Sequence, residues 1–219
     1  MMHHGYDTTL CGERVILHPE RALYWPAGAT LFVADVHLGK AASFRASGVP
    51  LPRGSTQADL ARLGSLIVGT GARRLVVLGD FLHARAGRVT ALDASFKAWR
   101  ASQAAVDLVL VRGNHDDRAG DPPSDWGVDV VAEPHLLAPF IACHVPMTPP
   151  TGYALCGHLH PGVFLRGIAD AERLPCFVLG MKRAILPAFG SFTGLATVVA
   201  TPGERLVAVA GSRLFPLPA

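Results

Sequence analysis

No stretch of this chain approaches the ~18 uninterrupted apolar residues that a membrane span requires. Met1 to Val15 carries no apolar run of the kind a secretory leader needs, so a cytoplasmic protein with no membrane association is expected. Cysteine is scarce: Cys11, Cys143, Cys156 and Cys176 form no C-x-x-C pair, which removes the usual structural-zinc and thioredoxin-like readings and leaves small, reduced, buried residues. Charge is sparse as well. Only 17% of residues are Asp, Glu, Lys or Arg, and 20 basic against 17 acidic residues give a net +3, far from a histone-like binder or a disordered charged tail. Internal repeats, low-complexity tracts and linkers are absent. What remains is a 219-residue chain, half of it apolar, long enough to bury a core without staples and expected to form one domain over residues 1–219.

The apolar residues come in short runs broken by Gly and Pro, as in strands buried on both faces. Val15–Leu17 and Ala22–Trp25 read as an edge hairpin, and Thr30–Ala34 as a stronger strand running into Asp35-Val36-His37. Thr56-x-x-Asp59 and Thr90-x-x-Asp93 read as capping boxes that open two amphipathic helices, the second with Leu92, Phe96 and Trp99 at helical spacing. Leu75–Leu78 and Leu108–Val111 are the intervening strands, which predicts an α/β unit with a largely parallel sheet. From Val128 onward strand-like runs dominate: Val128–Ala132, Ile141–His144, Tyr153–Cys156, Cys176–Leu179, Leu195–Ala200 and Leu206–Ala210. Two packed sheets with flanking helices accommodate both halves.

The polar residues sit at the ends of these runs. Asp35 and His37 follow one strand, Asp80 and His83 the next, and Asn114, His115 and Asp116 the third; His144 and then His158 and His160 follow two more. In open α/β sheets the carboxyl ends of strands form the ligand crevice. Two carboxylates, one amide oxygen and four imidazoles (Asp35, His37, Asp80, Asn114, His144, His158, His160) are too many for one ion, and a thiolate-free O/N set suits Mn, Fe, Zn or similar metals. Residues two apart on extended chain point the same way, so Asp35/His37 and His158/His160 can each reach a common cluster, and a carboxylate such as Asp80 can bridge two cations. Singly, a D-x-H, a Gly-Asp turn or an Asn-His-Asp cap is commonplace; their succession, each after a strand, is not.

That succession, Asp35-Val36-His37, Gly79-Asp80, Gly113-Asn114-His115-Asp116, His144 and Gly157-His158-Leu159-His160, resembles the calcineurin-like binuclear metallophosphoesterases. The resemblance implies a four-layer α/β/β/α sandwich. It also implies Asp35, His37 and His160 on one ion, Asn114, His144 and His158 on the other, and Asp80 bridging. His115 is then a catalytic residue that contacts the scissile phosphate and helps protonate the leaving group, after in-line attack by a metal-bridging hydroxide. Much of the superfamily has G-D-x-x-D, whose second carboxylate orients the catalytic histidine. This chain has Gly79-Asp80-Phe81-Leu82-His83, which leaves Asp116 as a substitute orienter or His83 as a residue facing the phosphate. The segments Val36–Lys40, Ser43–Arg45, Gly48–Gly54, Gly79–Arg85, Val111–Asp116, Cys156–Pro161 and Arg173–Phe177 look like the bacterial DNA-ligase-associated metallophosphoesterases, over roughly positions 10 to 200. That resemblance implies a manganese-dependent DNA endonuclease acting on single-stranded or flapped DNA and linked to a repair ligase and helicase, with iron, zinc or cobalt as alternative ions.

Of the 20 basic residues 17 are arginines, a bias that a GC-rich genome explains by itself. Lys40, Arg45, Arg53, Arg85 and Arg112 nevertheless lie beside the ligand segments; Lys40, Arg45, Arg85 and Arg112 are the candidate phosphate contacts, with Lys40 and Arg85 foremost. Trp25, Trp99 and Trp126 offer base-stacking faces, with core packing expected for at least two of the three. The competing readings are a hydrolase of a small phosphodiester, nucleotide or lipid pyrophosphate, and a non-catalytic scaffold of the same fold.

Overall fold

In the computed structural model, which describes residues 5–166 and 171–218, two sheets pack face to face. The first begins as an antiparallel meander of β1 (Tyr6–Leu10), β2 (Glu13–His18), β3 (Ala22–Trp25) and β4 (Thr30–Val33). It continues in parallel through β5 (Arg74–Leu78), β6 (Asp107–Val111) and β7 (Asp129–Val131), in that spatial order. The connections carry α1 (Lys40–Ala46), α2 (Ser55–Thr70), α3 (Thr90–Ser102) and α4 (Asn114–Ala119). The second sheet contains β8 (His135–Leu137), β9 (Phe140–Ala142), β10 (Tyr153–Cys156), β11 (Pro161–Arg166), β12 (Ala171–Leu179), β13 (Arg183–Ile185) and β14 (Ala196–Thr197). Its order is β14-β11-β12-β13-β10-β9-β8, and β15 (Arg205–Ala210) pairs with β12 and with β16 (Arg213–Pro216).

Alternation along the central strands builds both cores. Leu31 and Val33, Leu75 and Val77, and Leu108 and Leu110 face α2 and α3, where they meet Leu60, Leu63, Ile67, Leu92, Phe96 and Trp99. Phe32 and Ala34, Val76 and Leu78, and Val109 and Val111 face the second sheet and pack on Phe140, Leu155, Phe177, Leu186 and Val207. The expected α/β sandwich is thus present. Among the described residues no α-helix follows Ala119, so the outer face of the second sheet is covered by Leu165, Val198, Ala200 and Leu217 packed on Val163, Val178, Ile185 and Leu206. Trp99 and Trp126 belong to the helix-side core; Trp25, half-buried, packs edge-on against Phe140 and donates to Glu13.

Three local expectations change. The β2–β3 hairpin is not the sheet edge, because β1, whose YDTTL sequence buries only Leu10, pairs outside it. Neither threonine caps a helix: Gly54 and Val89 are the N-cap residues, and the two carboxylates are engaged across the fold. Asp59 accepts from the Ser191 amide and hydroxyl, and Asp93 accepts from the Trp126 indole N–H at 2.8 Å. Val128–Ala132 supplies β7 of the first sheet rather than a strand of the second.

Candidate metal centre

The loops that leave β4, β5, β6, β9 and β10 meet at one rim. The first two are zipped together beyond their strands: the Asp35 amide donates to the Gly79 carbonyl (3.2 Å), the His37 amide to Asp80 (2.8 Å) and the Leu38 amide to Phe81 (2.7 Å). This continues the parallel ladder into segments whose backbone is bent. Asp35, His37, Asp80, His158 and His160 all have positive φ, between 46° and 71°, a region that disfavours any residue with a Cβ. Five of the seven candidate ligands therefore sit in strained backbone, as functional residues often do. Close packing holds them there. A Cβ on Gly79 would lie 2.1 Å from His144 Nδ1, and one on Gly157 would lie 2.8 Å from Asp35 Oδ2, so these glycines let the loops approach.

Among the seven candidate ligands the donor atoms fall into two groups, and His37 also offers an atom within 4.8 Å of His83 and His115. Asp35, His37 and His160 offer atoms within 4.8 Å of one another, and so do Asp80, His144 and His158. His37 Nε2 is 3.4 Å from His160 Nε2, and His160 Nε2 is 3.5 Å from Asp35 Oδ1. In the second group His144 Nε2 is 3.0 Å from His158 Nδ1 and 2.9 Å from Asn114 Oδ1. Asp80 lies between them, with Oδ2 3.8 Å from His37 Nε2 and Oδ1 3.4 Å from His144 Nε2.

Protons do not account for this convergence. His144 Nδ1 donates to the Leu78 carbonyl (3.1 Å), so in the neutral ring Nε2 is an acceptor, yet it faces the acceptor oxygens of Asn114 and Asp80. The buried Asp35 Oδ1 has no hydrogen-bond partner. Burial pushes His37 down to about 2, which keeps its imidazole in the neutral, ligating form, and burial raises the Asp80 carboxyl despite the nearby His144 ring and the His115 amide. Unshared lone pairs and two buried carboxylates facing one another fit cations, and the all-O/N donor set fits a pair of divalent ions. Glu133, which the sequence did not single out, supports this group: its Oε2 accepts the amides of His144 (2.6 Å) and Val145 (3.0 Å). Eleven residues of separation and a Pro neighbour hid it.

His115 borders the centre. Its Nδ1 donates to the His83 carbonyl at 2.8 Å, leaving Nε2 free, and its ring stacks on that of His83 with centroids 4.9 Å apart and planes at 20°. His83 Nδ1 also lies 3.4 Å from His37 Nδ1, and burial lowers His83 to about 4. The hydrogen bonds of Asp116 go to backbone amides rather than to the His115 ring among the described residues. Fully buried, Asp116 accepts the backbone amides of Phe81 (3.3 Å), Leu82 (2.8 Å) and Gly113 (3.0 Å), bracing the β5 and β6 loops against each other.

The basic candidates separate. Lys40, half-buried at the start of α1, donates its amide to the His37 carbonyl (3.1 Å), while its ammonium makes no hydrogen bond or ion pair among the described residues; burial lowers that ammonium, opposed by the charges of Asp80 and Asp35. Arg45 donates to the Leu51 and Pro52 carbonyls, holding the loop before α2. Arg85 donates to Arg118 O, and Arg112 forms a two-pronged bridge to Asp121 at 2.9 and 2.7 Å. Arg112 is thus neutralised on the protein itself, a partner nine residues away that the motif did not reveal. No helix among the described residues is long and apolar enough to cross a membrane.

No protein-family model and no curated protein matches the chain. Among solved structures, the crystal structure of the Pseudomonas putida nuclease MPE is 42% identical, covers 97% of this chain and 100% of its own, and superposes with a TM-score of 0.85. Yfce, a phosphoesterase from E. coli, is 18% identical over 83% of this chain and 88% of its own, with a TM-score of 0.37. With that identity along both full lengths, around a rim where two carboxylates, an amide and four imidazoles converge, the chain belongs to the metallophosphoesterase family that includes the Pseudomonas nuclease.

Proposed function

We propose that this protein is a divalent-metal-dependent phosphodiesterase that cuts DNA internally, in single-stranded or flapped regions, as one catalytic domain over residues 1–219. The observation that carries the reading is the split of the donor set into two groups with Asp80 facing both. Asp35, His37 and His160 would hold one ion, Asn114, His144 and His158 the other, and Asp80 both. Manganese is the first choice, with iron, zinc or cobalt compatible with the same ligands. When bound, two such ions supply Lewis acidity at the phosphate and lower the pKa of water, so that a nucleophile is available near neutral pH.

The chain's own groups do the rest. His115, its Nδ1 proton committed to the His83 carbonyl, presents Nε2 toward the substrate; entering the reaction as the imidazolium, it gives the Nε2 proton to the departing oxygen and is left as the neutral Nδ1–H ring. His83 fixes that ring by its carbonyl and by stacking, in the place where relatives use a carboxylate. Asp116 acts at one remove, by fixing the loops that carry Asp80 and Asn114. Lys40, whose ammonium has no hydrogen-bond partner among the described residues, takes a phosphate oxygen. A bacterial cytoplasmic setting and a working link to a repair ligase and helicase complete the proposal.

The test is an assay of metal-stripped protein, reloaded with manganese, on a bis-aryl phosphodiester, an aryl phosphomonoester and circular single-stranded DNA. Hydrolysis of the diester together with linearisation of the circle is expected. Hydrolysis of the monoester alone refutes the nuclease reading, and hydrolysis of the small diester without DNA cleavage assigns a small-molecule substrate instead.

A further inference from the structure

The metal centre leaves an aromatic residue that stacks onto its histidines unexplained. Phe32, Phe81, Phe96, Phe140, Phe177 and Phe189 are fully buried, whereas Phe44 is 38% exposed. Its ring is nearly parallel to that of His83, at 14° with centroids 6.0 Å apart, and His83 is in turn nearly parallel to His115. Three flat rings therefore form a column that rises from the proposed proton donor to the surface, and Phe44 is its outermost member. Phe44 also lies one turn after Lys40 on α1, so the two share a helix face. Other exposed phenylalanines are placed differently: the Phe164 ring is covered by the Arg173 guanidinium at 4.8 Å, Phe215 lies on β16 in the second sheet, and Phe192, which shares a cleft with His37 and Lys40, stacks on no ring among the described residues.

We propose that Phe44 is a stacking platform for an unpaired nucleobase next to the scissile phosphate, a specificity-determining contact that rests on the nucleic-acid reading above. A nucleic acid strand offers one planar base and one phosphate per nucleotide. A cation and an aromatic face one helical turn apart match that pair, Lys40 to a phosphate oxygen and Phe44 to the neighbouring base. A base inside a duplex has both faces covered by its neighbours. Only a base out of the stack has a face to give Phe44, so the contact selects single-stranded segments while tolerating any sequence.

The test compares a single-stranded oligodeoxynucleotide with an oligomer of equal length built from abasic tetrahydrofuran units. Binding is read by fluorescence anisotropy on metal-free protein, and cleavage on manganese-loaded protein. Wild type should favour the base-bearing strand roughly fivefold to a hundredfold, the range of one aromatic–base stack. Phe44→Ala and Phe44→Leu should both collapse that ratio toward one, and Phe44→Trp should keep or raise it. Phe44→Leu retains an apolar side chain under His83, so an unchanged ratio in Phe44→Leu, or equal losses on both strands in Phe44→Ala, overturns the platform and leaves only a packing role. If wild type neither binds nor cleaves either strand, the nucleic-acid reading itself fails, and the platform with it.

Discussion

The strained backbone of the metal centre predicts an inverted glycine effect at His160. At an ordinary helical position glycine is worse than alanine, because its unfolded chain has more freedom to lose. His160 has φ near 46°, where a Cβ crowds the following carbonyl at a cost of roughly 1–2 kcal/mol. His160→Ala keeps that Cβ and its strain; His160→Gly removes both. Subtracting the roughly 0.5–1 kcal/mol entropic penalty of glycine leaves the Gly variant more stable than the Ala variant by up to about 1.5 kcal/mol, and by roughly 0.75 kcal/mol at mid-range. For a chain of this length the mid-range value is about 1.5–3 °C in Tm. Both variants lose the same imidazole, so their difference isolates the backbone. The assay is thermal unfolding in chelator, with Ala61→Gly on the exposed side of α2 as the opposite-sign control, expected to lose about 1 kcal/mol. An Ala variant at least as stable as the Gly variant would refute the claim that this ligand loop is held under strain.

Other consequences follow from the same contacts. Asp59→Ala removes the acceptor of Ser191 and leaves Arg62, whose guanidinium lies over Phe189 and donates to the Phe189 carbonyl, with Glu20 at 3.5 Å as its remaining carboxylate among the described residues. A loss of about 2–3 kcal/mol is expected, read as a lower denaturant midpoint. Lys40→Ala should reduce kcat/KM on oligonucleotides by about 10- to 100-fold, the value of a charged hydrogen bond, and flatten the salt dependence. Arg112→Ala should change the same constant by less than about threefold, because Asp121 already holds its fork; equal losses in the two variants would place Arg112 on the substrate as well.

Much of the fold and of the site is legible in the sequence. Each ligand follows an apolar run, and a glycine stands directly before Asp80, Asn114 and His158, so strand ends and chemistry coincided along the chain. The central strands were equally readable, since Leu75–Leu78 and Leu108–Val111 are buried on both faces. Strands with little apolar content escaped notice: β1 is YDTTL, and β11 starts with a proline and a glycine. Local pattern also misled where a side chain had a distant partner. Asp59 and Asp93 looked like caps because Ser191 and Trp126 are remote in sequence, and Asp116 looked free to orient His115 because its three amide donors lie on two different loops. No residue type announces a positive φ at Asp or His, so the strain of the site emerged only from the fold.

The central claim is that two ions share one active site through Asp80. Its most direct test is hydrolysis of a bis-aryl phosphodiester by metal-stripped protein titrated with manganese, run beside Asp80→Ala with metal content measured on both. The account predicts activity that saturates as two ions bind per wild-type chain, and an Asp80→Ala protein that is folded and inactive. Full activity with one ion bound, or an Asp80→Ala enzyme that turns over like wild type, would contradict it.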